Sequence, residues 1–325
     1  MTTLVTGGTG FVGSNVVKAL AKNGHEVICF DYVAANDLVK GFLQPWERYI
    51  AFVQGDILDP KSVEQLLDYK ITKIVHAAVF TGVNPDVEHS RSSSIVETNI
   101  IGTKNMLELA SQIIPDRFLY VSSGAVYGDE RDPTEVMRED VILSPRSLYA
   151  STKYASELVT RRYGELHGFQ TVSVRLSSPY GPMERVTGHR ANQSILKELT
   201  GKAASGEPLE VLDRSIGRDY TYVSDIATGI RAVLEAPSLH FDIYNNSAGV
   251  WITLGDIIGA LQELLPNIQV VDSPSISLST PGMASMRGPM DVTRLRDDIG
   301  FTAKYDLLSG LREYMEWRHS FSFYE

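Results

Sequence analysis

Over its first 176 residues the chain alternates short apolar runs with helix-length amphipathic stretches, a rhythm that few folds accept. Residues 3–6, 26–31, 49–54, 71–78, 117–122 and 170–176 read as strands, and 15–23, 59–67, 96–113 and 149–167 as helices. The first helix gathers Val16, Val17, Leu20 and Ala21 on one face, and Gly24 follows it as a stop. Asp59 caps the second, with Pro60 at its first position. Gly168 closes the long helix at 149–167. Strands that are apolar throughout need helices on both faces, and strands separated by helices pair in parallel through right-handed crossovers. The expected fold class is therefore α/β, a Rossmann-like doubly wound parallel sheet.

After residue 177 the rhythm breaks at Pro179, Gly181, Pro182, Gly188 and Pro208. Residues 211–223 read as strands and turns, 224–235 and 253–265 as helices, and 242–246 as one more strand of the first sheet. Residues 272–290, rich in Ser, Pro, Gly and Met, read as a loop. The expected organisation is a Rossmann domain of residues 1–177 plus about 222–250. A smaller α/β substrate-binding lobe of about 178–221 plus 251–325 is interleaved with it.

The first strand runs straight into Gly7-Gly8-Thr9-Gly10-Phe11-Val12-Gly13, and a helix follows. Such a turn lets a diphosphate rest against backbone N–H groups at a helix N-terminus, Phe11 and Val12 among them, where the dipole favours negative charge. A Cβ at Gly10 would block the approach, and Gly13 lets helix and strand pack closely. Asp31 closes the second strand 18 residues beyond Gly13. A carboxylate there accepts hydrogen bonds from a ribose diol and repels a 2′-phosphate, which favours NAD over NADP. Asp56, with Ile57, follows the third strand at the adenine end, although helix capping is a competing reading for it.

Tyr149 and Lys153 are four apart, so a helix projects them from one face. Phenol is a poor base at neutral pH, with a reference pKa of about 10, and a nearby ammonium favours the phenolate. The tyrosine can then exchange a proton with a substrate hydroxyl. The same spacing recurs in Tyr69 and Lys73, which straddle a helix end and a strand start and are expected to be two surface residues. What distinguishes Tyr149 is the strand at 117–122, which delivers Ser122-Ser123-Gly124-Ala125-Val126-Tyr127-Gly128 at its C-terminal end. Open α/β sheets place their chemistry there, and a hydroxyl at Ser123 can hold the reacting oxygen.

Together with His76-Ala77-Ala78, Asn99 with Gly102-Thr103, Arg175 before Pro179-Tyr180-Gly181-Pro182, and Arg218-Asp219-Tyr220, these motifs make the chain resemble the extended short-chain dehydrogenase/reductases. That branch contains nucleotide-sugar epimerases and dehydratases. The resemblance implies Tyr149, Lys153 and Ser123 as the catalytic set. It implies Ala77, Ala78, Val79, Asn99 and Pro179 beside the NAD cofactor, with Asn99 also supporting the active-site strand. It implies Ser178, Arg218 and Arg287 at the substrate, the arginines as forked ligands of a diphosphate. The family's dehydratases carry an acid–base pair, usually Asp-Glu, where this chain has Gly124 and Ala125, so a 4,6-dehydratase is not expected. Ser178 replaces the Asn usual in the epimerases, and Asp213-Arg214-Ser215-Ile216-Gly217 replaces a glycine-rich stretch before Arg218.

Three functional readings stay open at this point. The first is a nucleotide-sugar 4-epimerase working by transient hydride transfer. The second is an NAD-dependent dehydrogenase or reductase of a smaller hydroxy acid, sugar acid or keto compound. The third is a non-catalytic NAD-binding protein, against which the intact Ser–Tyr–Lys set argues. The formal net charge of −10 speaks against general nucleic-acid or membrane-surface binding. Cys29, the single cysteine, excludes an intramolecular disulfide and reads as an inert buried thiol. No apolar stretch approaches the ~20 residues of a bilayer span, and no basic leader precedes Leu4, so a cytoplasmic location is expected. No metal site is expected. The long helices at 96–113 and 149–167 resemble those that pair across a two-fold axis in relatives, which implies a homodimer.

Overall fold

A computed structural model describes every residue except 83, 129–131, 133, 191–192, 212, 273–286 and 325. The apolar runs become β1 (Thr2–Thr6), β2 (Glu26–Asp31), β3 (Ile50–Gln54), β4 (Ile71–His76), β5 (Arg117–Ser123), β6 (Thr171–Leu176) and β7 (Ile243–Asn246). All seven join one parallel sheet in the order β7-β6-β5-β4-β1-β2-β3. The order reverses between β1 and β4, and the crevice beyond their C-terminal ends is where open sheets of this kind bind ligands. Residues 242–246, read from sequence as an added strand, do extend the sheet, with Tyr244 opposite Val174.

The longer helices are α1 (Phe11–Lys22), α2 (Gly102–Ile113), α3 (Leu148–His167), α4 (Ile195–Ser205), α5 (Val223–Glu235), α6 (Leu254–Leu264) and α7 (Leu307–Ser320). Successive strand residues face opposite sides of the sheet, so β1 sends Val5 into the core shared with α1 and α5, and Leu4 into the core under α2. The first of these cores continues through Leu196, Leu209, Ile257 and Leu311. The chain beyond residue 177 thus shares buried surface with the sheet. Burial pushes the Cys29 thiol up, away from thiolate chemistry.

The single helix expected at 96–113 is three pieces: an α-turn at Ser92–Val96, a π-turn at Glu97–Ile101, then α2. The wider turn accommodates Asn99, which is buried and bonded on both sides. Helices α4 and α7 were not anticipated, although side-chain caps start both: Ser194 accepts from the Lys197 N–H, and Asp306 from the Ser309 N–H.

Candidate active site

A groove runs across the C-terminal ends of β1, β2 and β4. Its floor is the glycine turn, with Gly7, Gly10, Phe11, Val12 and Gly13 along it. Asp31, Asp56 and Ile57 line one wall, and Ala77, Ala78 and Val79 the other. Gly7 has φ of +66°, and a Cβ on it would lie 2.8 Å from the Ala78 backbone nitrogen. A Cβ on Gly13 would lie 2.0 Å from the Gly7 carbonyl oxygen, so the third glycine permits the closeness of turn and helix. No side chain caps α1 at Gly10, which leaves its first N–H groups for a ligand. Asp31 accepts from the Thr9 N–H at 3.0 Å and the Val33 N–H at 3.1 Å, so it braces the turn while facing the groove. Asp56 accepts from the Leu58 N–H at 2.8 Å within a turn and lines the groove, while the helix that follows is capped by Asp59, so the helix-capping reading of Asp56 does not hold. The donor set matches a dinucleotide: main-chain N–H groups for a diphosphate, and a carboxylate for a ribose.

Tyr149 and Lys153 occupy the first turns of α3, whose N-cap Ser147 accepts from the Ala150 N–H at 3.1 Å. Ser123 ends β5, where its hydroxyl accepts from the Ala125 N–H at 3.2 Å, and it is the neighbour that most favours the Tyr149 phenolate. Burial pushes the Tyr149 phenol up; Ser123 and then the Arg190 and Arg287 charges pull it back. Lys153 is itself buried, which lowers its pKa to about 7, with Glu157 opposing. Its ammonium donates to the Val121 carbonyl at 2.8 Å and stands 4.8 Å from the Tyr120 ring centre.

Several motif residues hold the site together from behind. Arg175 grips Glu157 through Nε at 2.9 Å and Nη2 at 2.8 Å, and Ser122 donates to the same carboxylate at 2.5 Å. Arg175 also donates to the Tyr127 hydroxyl at 3.1 Å, and Tyr127 donates to Asn245 at 2.7 Å. One network therefore ties β5, β6, β7 and α3. The Asn99 amide bonds both the N–H and the carbonyl of Phe80 and reaches Thr152, beside Lys153. It thus acts at one remove from the groove. Lys73 is not a surface residue as expected: it is buried in β4 and donates to the Leu234 carbonyl at 3.0 Å.

Ser178 and Pro179 lie in a short strand (Ser178–Tyr180) paired with Tyr220–Tyr222, and the Ser178 N–H donates to the Asp219 carbonyl at 3.0 Å. Arg218 lies in Gly217–Arg218, antiparallel to Ile252–Thr253. Most of the expected 272–290 loop lies outside the described residues, but its end is clasped. Buried Asp219 accepts from the Met290 N–H at 3.0 Å, and the Met137 N–H donates to the Pro289 carbonyl at 2.8 Å. That clasp brings the Arg287 charge to bear on both Asp219 and Tyr149. The sequence reading missed residues 185–190, which roof the groove; the only local signal was an irregular stretch around Gly188.

The model of the NAD dependent epimerase/dehydratase family matches residues 3–245. The chain belongs to this family. Among its relatives, the low-salt glycan biosynthesis protein Agl12 of Haloferax volcanii is 34% identical over 77% of this chain and 78% of that protein. UDP-glucuronate 4-epimerase 1 of Arabidopsis thaliana is 29% identical over 98% of this chain and 76% of its own. The UDP-glucuronic acid 4-epimerase of Bacillus cereus, solved with UDP-glucuronic acid and NAD, superposes with a TM-score of 0.80 at 25% identity, covering 98% of this chain and 99% of that one. Membership makes the chain an enzyme with NAD as its cofactor, which the groove's donors fit. Among the described residues no helix is long and apolar enough to cross a membrane.

Proposed function

We propose that this family member interconverts the C4 epimers of a nucleotide sugar. The observation that carries the reading is buried Tyr149 facing half-buried Ser123 at the end of β5, beside a groove built for a dinucleotide. Ser123 orients the reacting hydroxyl. Tyr149 takes its proton and later gives it back. NAD, held by the N–H groups at the start of α1 and by Asp31, would supply reversible hydride transfer. Arg190 and Arg287, with Lys153 one helical turn away, favour the phenolate that takes the proton where burial alone would oppose it.

The relatives that epimerise UDP-sugars support this substrate class. A dehydratase outcome is disfavoured by the space beside Ser123. A Cβ on Gly124 would lie 2.2 Å from the Met290 methyl and 3.8 Å from Arg287 Cζ, so other groups occupy the place of an acid–base side chain. The residues after 177, apart from those that complete the sheet, are the lobe that would hold the nucleotide, with Ser178, Arg218 and Arg287 toward it. A cytoplasmic homodimer pairing through α2 and α3 is part of the proposal; light scattering that finds a monomer at working concentration removes that part.

Epimerisation and net oxidation separate in one assay. Purified protein with bound NAD is given UDP-glucose or UDP-glucuronate, and sugars and nicotinamide absorbance are followed together. Interconversion without build-up of NADH is expected. NADH formed in proportion to sugar consumed would instead establish a dehydrogenase.

A further inference from the structure

The segment that follows Pro182 crosses the groove from one rim to the other. Asn15 of α1 donates to the Pro182 carbonyl at 3.0 Å, and Arg185 Nη2 donates to the Thr9 carbonyl at 2.8 Å. On the far rim, the Thr81 N–H donates to the His189 carbonyl at 2.8 Å. The Thr187 and Arg190 backbones bond each other at 3.0 and 3.2 Å, forming a tight turn. Between the rims, the His189 ring meets Tyr32 edge-on at 5.6 Å and Phe80 at 5.4 Å. Tyr32 follows β2 and Phe80 follows β4, so a dinucleotide lying along the groove runs beneath this strap.

Arg190 is the strap's least satisfied residue. Its Nη2 pairs at 2.8 Å with Glu184, which is fully buried and also takes the Ser194 N–H and hydroxyl, each at 2.7 Å. Its Cζ lies 5.0 Å from the Phe11 ring centre, above the start of α1. Its Nε is buried and, among the described residues, meets no hydrogen-bond partner. A buried donor left unpaired is costly, and a guanidinium aimed toward an uncapped helix N-terminus favours an anion between them.

We propose that Arg190, held by Glu184, is a counter-charge to the cofactor's diphosphate from the roof of the groove, and that residues 184–190 must be displaced before the dinucleotide can leave. The inference deepens the reading of the groove as the NAD site and rests on it.

The test follows NAD release from wild type, Arg190→Gln and Arg190→Lys, with bound NAD quantified after gel filtration and its loss timed in a chase. Arg190→Gln is expected to release NAD at least tenfold faster, with Arg190→Lys between it and wild type. Wild-type retention by Arg190→Gln would overturn the proposal. Should Arg190→Gln fail to fold, wild-type hydrogen exchange across residues 184–190 decides: slowing on NAD addition supports the strap, and unchanged exchange overturns it. If wild type binds no NAD by gel filtration or thermal shift, the groove assignment itself falls, and the strap with it.

Discussion

Tyr149 sits in surroundings that oppose its own ionisation, and the groups that offset this arrive from three separate parts of the chain: Ser123, Arg190 and Arg287. The Tyr-x-x-x-Lys spacing disclosed the tyrosine but not its electrostatics, because those depend on side chains brought in by tertiary structure. His76 shows the same contrast. Thr103 spends its hydroxyl proton on the Asn99 carbonyl at 2.7 Å, so His76 Nε2 must donate to Thr103 and Nδ1 must accept from Thr6, at 3.0 and 2.7 Å. Burial lowers the His76 pKa to about 3, with Lys153 adding to the effect. The folded state therefore binds fewer protons than the unfolded chain between pH 3 and the ordinary 6.5. The stability this contributes is complete above pH 6.5 and lost as pH falls toward 3, at no more than about 1.4 kcal/mol per pH unit. Asp219, raised to about 6 by burial, offsets part of that loss between its ordinary 3.8 and 6. Urea midpoints should show the stability gap between wild type and His76→Asn shrinking from pH 7 to pH 4; a constant gap would contradict the assignment.

At the scale of elements, the glycine turn was legible in full, since only three spaced glycines let strand, turn and helix approach so closely. Gly13→Ala should cost at least about 2 kcal/mol, because its Cβ meets a backbone oxygen that cannot swing aside. It should also abolish NAD binding by calorimetry. Glu157 was not legible. Nothing near it in sequence tells that β6 will present Arg175 to it, with both side chains 2% exposed. Glu157→Ala strands the Arg175 charge and should lower unfolding free energy by about 3–5 kcal/mol. A loss below 1 kcal/mol in chemical denaturation would show that the network does not bind the strands together. The π-turn at Glu97–Ile101 escaped detection because apolar periodicity runs through it, and the partners of Asn99 within it, Phe80 and Thr152, come from other elements.

For the whole molecule, seven parallel strands place a switch point between β1 and β4, and the floor and walls of the groove follow from that position. The sheet could be anticipated from its near-continuous apolar strands. The strap at 184–190 and the clasp at 287–291 could not: each is irregular backbone fixed by distant partners, Thr9 and Thr81 for one, Asp219 and Met137 for the other. Helices α4 and α7 were missed for a related reason. Their buried faces include polar members such as Thr200 and Arg318, bonded to each other at 3.0 Å, which blur the apolar stripe.

The account turns on the Tyr149 hydroxyl as the group that moves the substrate proton. Its most direct test is the turnover number of Tyr149→Phe with UDP-glucuronate or UDP-glucose, whichever the wild type converts, in protein shown to retain NAD. A fall of roughly 10²–10⁴-fold is predicted, the usual worth of a positioned acid–base group. Wild-type turnover by a folded, NAD-loaded Tyr149→Phe would contradict it.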